Sequence, residues 1–372
     1  MNANARTHGR SYAKGALSVL VALLVALTIA GCGAPAGSNT QQNAQSTSAA
    51  ATTSSFSSWT EGSASLKKLT DFVAAATDEK GSGYIPPEDR IAVFDLDGTL
   101  MCETDPFCFE YMVFVDYVLN NPNYQAPDDV KAVAQEIVDA RDGKKPENMS
   151  TRQAAAGAIA YKGLTPAQLG EYVNKFKSSQ ATGFEGMTRG ESWYKPMLEV
   201  VDYLKANGFD IYIVTATERN IVRAIVGDKL GVDPAHVIGT EYGYTATGQG
   251  DQADGDYTFS QDDTMVFDGT YAGENAKTCK VDAIVREIGK QPVLAFGNSS
   301  GDTAMLNYAL AKNAHPSAAF MVLSDDTERE YGNAEKAAEN RTAWEKLGFT
   351  MFSMRDDFKT IYGDGVKKTS LS

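Results

Sequence analysis

An α/β fold with a parallel sheet is predicted from about Leu66 onward, because short apolar runs alternate with amphipathic stretches. The runs typical of buried strands lie at 90–95, 209–214, 292–296 and 319–323. The stretches with helical spacing lie at 195–207, 217–229, 275–289 and 301–311. Each apolar run ends in polar or small residues. In open α/β folds such strand ends converge where a ligand binds.

Two segments interrupt this alternation. Residues 107–190 contain VKAVAQEIVDA and TPAQLGEYVNKFKSS, whose apolar residues recur at helical spacing. They predict a helical cap inserted after the first strand. Residues 240–270 are rich in Gly, Thr, Tyr and Asp, which favours a β-hairpin excursion. The core is therefore predicted to comprise residues 64–106 and 191–372.

Residues 1–31 have the pattern of a secretory signal peptide. Three basic residues precede the apolar stretch GALSVLVALLVALTIA, which is too short and wrongly flanked for a settled transmembrane helix. The sequence IAGC at 29–32 resembles a bacterial lipobox, which implies lipidation of Cys32 and anchoring to the cell membrane outside the cytoplasm. An ordinary cleaved signal and an uncleaved anchor are the alternatives. Residues 32–63, rich in Ser, Thr and Ala, predict a flexible linker.

The net charge and the cysteine content of the chain disfavour several classes of function. The formal net charge is −14, and it becomes about −17 once the three basic residues of the signal are removed. So acidic a chain disfavours direct binding of nucleic acid or of anionic membrane surfaces, and we expect membrane attachment through lipid alone. The histidines and cysteines show no zinc-site spacing. Cys102 and Cys108 are interpreted either as thiols or as a disulfide.

Reactive side chains follow the predicted strand ends. They are Asp95 and Asp97 in DLDGT, Thr215 after FDIYIV, Lys277 in GENAK, and Asn298 and Asp302 in GNSSGD. A carboxylate can attack phosphorus to give an aspartyl phosphate, and a second acid can protonate the leaving oxygen and later deprotonate water. A hydroxyl and a lysine can bind the phosphoryl oxygens, and a further acid can help to hold Mg²⁺. The set predicts phosphoryl transfer.

These four motifs resemble those of the haloacid dehalogenase (HAD) superfamily over about residues 85–325, and best its phosphoserine phosphatase-like subgroup. The resemblance implies a Rossmann-like core and Mg²⁺ as cofactor. It implies that Asp95 is the nucleophile and a metal ligand, and that Asp97 is the acid/base whose backbone carbonyl also binds the metal. The resemblance assigns phosphate binding to Thr215 and Lys277, with Thr217 and Lys280 as the competing residues. Asp302 and Asn298 complete the implied metal site.

Asn298 departs from the subgroup, whose members usually carry Asp at this position. An amide oxygen can still bind Mg²⁺. The site nevertheless loses one negative charge, which bears on metal affinity and metal choice.

Substrate recognition is expected between the first strand and the cap. Glu103 is the candidate for binding a substrate ammonium group, as implied by the resemblance. Arg152 is interpreted as a solvated arginine rather than a carboxylate ligand. The aromatic residues at 107, 109, 111, 114 and 117 are interpreted as core rather than as a cage for a quaternary ammonium.

The sequence thus predicts an exported, lipid-anchored, Mg²⁺-dependent phosphatase of a small phosphorylated metabolite. A phosphorylcholine phosphatase or a phosphomutase of the same fold is the enzymatic alternative. A binding lipoprotein on a degenerate phosphatase fold is the non-enzymatic one.

Overall fold

The computed structural model describes residues 56–140 and 147–371. In chain order, its strands are β1 (Ile91–Phe94), β2 (Phe184–Glu185), β3 (Asp210–Glu218), β4 (Val237–Thr240), β5 (Tyr242–Ala246), β6 (Met265–Tyr271), β7 (Leu294–Gly297), β8 (Ala318–Leu323), β9 (Thr350–Ser353) and β10 (Lys367–Lys368). The α-helices are α1 (Ala64–Thr77), α2 (Phe109–Leu119), α3 (Asp128–Ala140), α4 (Met149–Ala160), α5 (Pro166–Phe176), α6 (Lys195–Ala206), α7 (Arg219–Leu230), α8 (Thr278–Glu287), α9 (Thr303–Leu310) and α10 (Ala334–Glu345).

A parallel sheet organises the described residues, with strand order β4-β3-β1-β7-β8-β9. All four residues of β1 are buried, as expected for a central parallel strand covered on both faces. Phe94, Phe296, Phe320 and Phe352 stack across four neighbouring strands, beginning with a 4.1 Å centroid separation between the first two rings. The predicted α/β class with a parallel Rossmann-like core is confirmed.

Two edge strands were not predicted. Strands β4 and β9 lie at opposite edges of the sheet and are only four residues long. Their short apolar runs, VIGT and TMFS, carry too few residues to show a period. Strand β3 also continues beyond the predicted end at 214, to Glu218.

Helices α2 to α5 lie within the segment predicted as a cap. Helix α4 packs against β6, and α5 packs against the core helix α7. Strands β5 and β6 form the antiparallel hairpin that was predicted in 240–270. Two backbone hydrogen bonds join the end of α4 to this hairpin, between Gly163 N–H and Phe267 C=O (2.8 Å) and between Phe267 N–H and Leu164 C=O (2.9 Å). The cap and the hairpin therefore form one wall above the sheet.

Residues 56–63, the last part of the linker predicted over 32–63, are folded, and residues 32–55 lie outside the described residues. Trp59 is buried against Phe352 and Phe358, and its indole N–H donates to the carbonyl of Pro196 at 3.0 Å. Ser63 caps the first turn of α1. Residues 56–63 are part of the folded core because one tryptophan and one cap outweigh the polar composition around them. The signal peptide and Cys32 lie outside the described residues. Where the chain is described, none of its helices has the length and apolarity needed to cross a bilayer.

Candidate active site

The first site residue, Asp95, directly follows β1 at the carboxyl edge of the sheet. It is 6% exposed. Its Oδ1 accepts a hydrogen bond from Lys280 Nζ at 2.6 Å, and its Oδ2 accepts one from Thr99 Oγ1 at 3.1 Å. Gly98 has a φ of +75°, and a Cβ there would lie 1.9 Å from Asn298 Nδ2. A glycine is therefore required for the loop after β1 to approach the loop after β7.

Asp97 is hydrogen-bonded to a residue of β3, the strand that neighbours β1. Thr217 Oγ1 donates to Asp97 Oδ2 at 2.7 Å, while Asp97 Oδ1 is buried and has no hydrogen-bond partner. Thr215 is fully buried, and its Oγ1 accepts the backbone N–H of Thr217 at 3.0 Å. Thr217 therefore orients the acid, and the role of Thr215 as a phosphate ligand stays a prediction.

The site lysine is Lys280, and the assignment of Lys277 was wrong. Lys280 is 1% exposed, and its Nζ lies between Asp95 Oδ1 (2.6 Å) and Asp302 Oδ1 (2.7 Å). Lys277 precedes α8, has a φ of +55° and is exposed. The buried face of α8 comprises residues 280, 283 and 284, at helical spacing. Lys277 lies three residues before Lys280 and seven before Ile284, so helical spacing in the sequence does not separate the two lysines.

Asp302 organises the loop between β7 and α9. Its Oδ2 accepts the backbone N–H groups of Asn298 (3.1 Å) and Ser299 (2.9 Å) and the Ser299 hydroxyl (3.0 Å). Its other oxygen accepts from Lys280. With four donors on one carboxylate, Asp302 fixes the loop that carries Asn298.

Glu103 reaches the same site from the loop after β1. Asn298 Nδ2 donates to Glu103 Oε1 at 2.9 Å, and Thr99 Oγ1 lies 3.4 Å from Asn298 Oδ1. The structure therefore places Glu103 beside the motif residues rather than in the cap.

Burial dominates the electrostatics of these acids. It raises the pKa of Asp97 to about 6, although the Thr217 hydroxyl and the Lys280 charge oppose the shift. Burial, together with the charges of Asp97 and Asp95, raises the pKa of Glu103 to about 8. Burial and the Asp302 charge also raise the pKa of Asp95, and Lys280 offsets only part of this effect. Burial alone would lower the pKa of Lys280, but Asp302 and Asp95 outweigh it and raise that pKa.

These residues open into a cavity of about 260 Å³ between the sheet edge and the cap. Six carboxyl residues line it: Asp95, Asp97, Glu103, Glu110, Glu274 and Asp302. Among the described residues, Lys280 is the only basic side chain in the lining. The cap contributes, among others, Phe107, Tyr111 and Gln153. The cavity is therefore strongly acidic and is closed on one side by aromatic rings.

Oxygen donors at the sheet edge fit a hard divalent cation. The four residues predicted as metal ligands are Asp95, Asp97, Asn298 and Asp302, and they offer carboxylate, carbonyl and amide oxygens. The buried, unpartnered Asp97 Oδ1 and the excess of acids over amines both favour a bound cation. A preformed cluster of three or more acidic, cysteine or histidine ligands does not occur in the described residues. A cation would thus be shared with waters or substrate, as is usual for Mg²⁺.

A model of the haloacid dehalogenase-like hydrolase family matches residues 92–307. The chain belongs to this family. The match runs from within β1 to within α9 and thus contains every motif residue of the candidate site. None of the curated proteins compared with this chain matches it in sequence.

Solved structures that resemble this chain are low in sequence identity to it. A functionally unknown protein from Anaerococcus prevotii is 13% identical with a TM-score of 0.47, covering 78% of this chain and 91% of that chain. The cytosolic 5'-nucleotidase IIIB bound to cytidine is 12% identical with a TM-score of 0.41, covering 78% of this chain and 85% of that chain. A phosphoserine phosphohydrolase-like protein from Francisella tularensis is 15% identical with a TM-score of 0.38, covering 72% and 95%. Similarity at this level carries no argument about the activity or substrate of this chain.

The other candidates named from the sequence divide between the cap surface, the cavity lining and the core. Arg152 pairs with Glu136 at 2.5 Å on the cap surface and does not line the cavity. Of the cap aromatics, only residues 107 and 111 line the cavity, and residues 109, 114 and 117 are buried in the core. Cys102 and Cys108 are free thiols. Glu110 and Glu274 were not recognised from the sequence, because no local pattern separates a cavity carboxylate from a solvated one.

Proposed function

We propose that the chain is a Mg²⁺-dependent phosphomonoester hydrolase that acts on a small phosphorylated metabolite through an aspartyl-phosphate intermediate. The observation that carries the proposal is the placement of Asp95. Its carboxylate lies at the cavity floor, with Lys280 on one oxygen and a second acid, Asp97, held two residues away by Thr217. This arrangement suits a nucleophile with an adjacent proton donor.

The residues support two successive half-reactions. Asp95 attacks phosphorus while the bond from phosphorus to the leaving oxygen breaks, and protonated Asp97 gives its proton to that oxygen. Asp97 then takes a proton from water, whose oxygen attacks the phosphoryl group and releases phosphate and free Asp95. The raised pKa of Asp97 suits an acid that must exchange a proton near neutral pH.

Charge compensation comes from fixed groups. Lys280 is held between Asp95 and Asp302, within reach of the negative charge that phosphate brings to the cavity floor. Thr215 would bind a phosphoryl oxygen. Mg²⁺ held by Asp95, the Asp97 carbonyl, Asn298 and Asp302 would supply further neutralisation of phosphoryl charge.

Cavity size and lining support a small substrate. A volume of about 260 Å³ is at the low end for ligand pockets and cannot admit a macromolecule. Nucleic acid is further disfavoured by the six carboxyl groups in the lining.

A phosphorylcholine-type substrate is the second candidate, favoured by one specific observation. Carboxyl groups from Glu103, Glu110 and Glu274 share the cavity with the rings of Phe107 and Tyr111, whose centroids are 6.1 Å apart. Acids and aromatic faces together suit a cationic leaving group, including a quaternary ammonium. No arginine in the described lining could bind a substrate carboxylate, which favours an amino-alcohol phosphate over phosphoserine.

The test is phosphate release by the full chain, purified in detergent, with and without Mg²⁺. The substrates are p-nitrophenyl phosphate, phosphoserine, phosphocholine, glycerol phosphate, sugar phosphates and nucleotides. We expect metal-dependent turnover that is abolished in Asp95→Asn. Rearranged product without free phosphate would indicate a phosphomutase instead. Binding of a phosphate analogue without turnover on any ester would indicate a binding lipoprotein.

The cellular placement is proposed from the N-terminal sequence. The signal pattern of residues 1–31 and the lipobox-like IAGC support export and a lipid anchor at Cys32. Incorporation of labelled palmitate into the wild type but not into Cys32→Ala tests this. Equal labelling of the two chains would contradict it.

A further inference from the structure

A buried carboxyl group outside the cavity contacts the loop that carries Glu103. Glu330 follows β8, is 0% exposed and does not line the cavity. Its Oε1 accepts the backbone N–H of Tyr331 at 2.7 Å and the hydroxyl of Thr104, and its Oε2 accepts the hydroxyl of Tyr362. Both oxygens are therefore committed to internal donors, as a buried acid requires.

The contacts of Glu330 bracket Glu103 in the chain. Thr104 follows Glu103, and Cys102 precedes it with its Sγ 4.0 Å from Glu330 Oε2. Between these two neighbours, the Glu103 side chain turns the other way, toward Asn298. Glu330 thus holds the backbone on one side of the loop while Glu103 enters the cavity on the other.

The support behind Glu330 is rigid. Tyr362 packs its ring against Phe184 and Tyr194, at centroid distances of 5.2 Å and 5.6 Å. The hydroxyl of Tyr331 donates to the carbonyl of Gly183 at 2.8 Å. Because the C-terminal segment is packed in this way, displacement of Glu330 would require several contacts to break together.

We propose that Glu330 is a positioning residue that fixes Glu103 in the cavity and thereby sets the enzyme's preference among leaving groups. This inference rests on the proposed phosphatase function. Glu330 touches neither the cavity nor Asp95, so its effect should fall on substrate discrimination rather than on the chemical step.

The experiment compares Glu330→Ala, Glu330→Gln and Glu103→Gln in the full chain in detergent, with kcat and KM measured for phosphocholine and glycerol phosphate. We expect Glu330→Ala to change the ratio of the two kcat/KM values on the order of tenfold, chiefly through KM, as loss of a committed hydrogen-bond acceptor would do. Glu330→Gln keeps an acceptor oxygen at the same place and should recover most of the ratio. In the Glu103→Gln background, Glu330→Ala should change the ratio no further.

Asp325→Asn is the matched control. Asp325 is 5% exposed and lies in the same segment, but it accepts from Ser353 Oγ (2.6 Å) and Arg355 N–H (3.0 Å) rather than from the loop of Glu103. Asp325→Asn should leave the ratio of the two kcat/KM values unchanged. If Glu330→Ala does not fold, Thr104→Val and Tyr362→Phe are tested in its place, because each removes one hydrogen-bond donor to Glu330.

Hydrogen exchange of residues 102–105 provides a readout that needs no turnover. Exchange should accelerate in Glu330→Ala and not in Asp325→Asn. Failure of the wild type to hydrolyse any ester would reject the phosphatase proposal, and the exchange result would still decide the positioning role. An unchanged substrate ratio in an active Glu330→Ala enzyme, or unchanged exchange, would overturn the inference.

Discussion

The two sides of the cavity differ in how far their polar atoms are already paired. On the sheet side, Asp95, Asp302 and Lys280 are bound to one another and to loop donors at 2.6–3.1 Å. The exception is Asp97 Oδ1, which has no partner and belongs to the proposed acid. On the cap side of the lining, Gln153 Nε2 is buried without a hydrogen-bond partner.

This difference separates chemistry from recognition. Asp95 directly follows the central strand β1, Asp302 lies in the loop between β7 and α9, and Lys280 lies on α8 with its Nζ bound to both acids. They are preorganised for one reaction, since fixed charges need not rearrange as the reaction proceeds. The cap side is formed by segments outside the sheet, and its unpaired Gln153 amide is left for a ligand or water to satisfy. The predictions below test this division, from the largest expected effect to the smallest.

Removal of the nucleophile should have the largest effect. Asp95→Asn should lower kcat by roughly 10³-fold or more, because an amide cannot form the phosphoryl intermediate. Single-turnover phosphate release measures this loss. Asp228→Asn, at an exposed carboxylate of α7, is the control and should retain full activity. Turnover by Asp95→Asn near the wild-type rate would contradict the assignment of Asp95 as the nucleophile.

Separate replacement of Lys280 and Lys277 tests which lysine acts at the site. Lys280→Ala should lower kcat/KM by roughly 10²-fold or more, because the cavity floor loses its one positive charge. The same change should lower thermal stability, since Asp95 and Asp302 would be buried without their cation. Lys277→Ala is the matched control and should stay close to wild type in both assays. The opposite order of effects would restore Lys277 as the phosphate ligand.

The cap side should affect binding more than rate. Glu274→Gln should raise KM for a cationic ester by roughly three- to tenfold, with kcat nearly unchanged, because it removes one cavity charge. Glu110→Gln should have the smaller effect, because burial and the charge of Glu218 raise the pKa of Glu110 well above its usual value. Glu171→Gln, at an exposed position on α5, controls for the loss of a cap charge. Equal effects on phosphocholine and glycerol phosphate would show that these acids do not select the substrate.

The pH dependence of stability should be the smallest and most easily masked effect. Burial raises the pKa of Asp97 to about 6 and that of Glu103 to about 8, above their unfolded values. The folded state therefore binds more protons than the unfolded state, so stability without a divalent cation should fall as the pH rises through 6 to 8.

Thermal unfolding in EDTA at pH 5.5 and pH 8 should thus show a Tm lower at pH 8 by roughly a few degrees. Added Mg²⁺ should restore more stability at pH 8 than at pH 5.5, because ionised carboxyl groups bind the cation. Asp325→Asn, away from the cavity, should show the same trend as wild type. A Tm that rises with pH in EDTA would contradict the raised pKa values.

Much of the fold, and the position of several candidate site residues within it, was determined by the sequence alone. The run IAVF followed by DLDGT predicts a buried strand with two acids at its end, because a strand inside a parallel sheet is covered on both faces and can be apolar at every position. The same reasoning placed Asn298 and Asp302 after β7. These predictions succeeded locally, since each depends on residues within a few positions of one another.

Tertiary structure decided what distant segments bring to the site. Lys280 replaced Lys277 because the orientation of α8 against the sheet selects which lysine turns inward. Glu110 and Glu274 became cavity acids only when α2 and the segment before α8 met above β1. Trp59 joined the core because it found Phe352 and Phe358, nearly 300 residues later in the chain. A sequence pattern records periodicity along the chain, whereas burial of a charge or a ring depends on which surfaces meet.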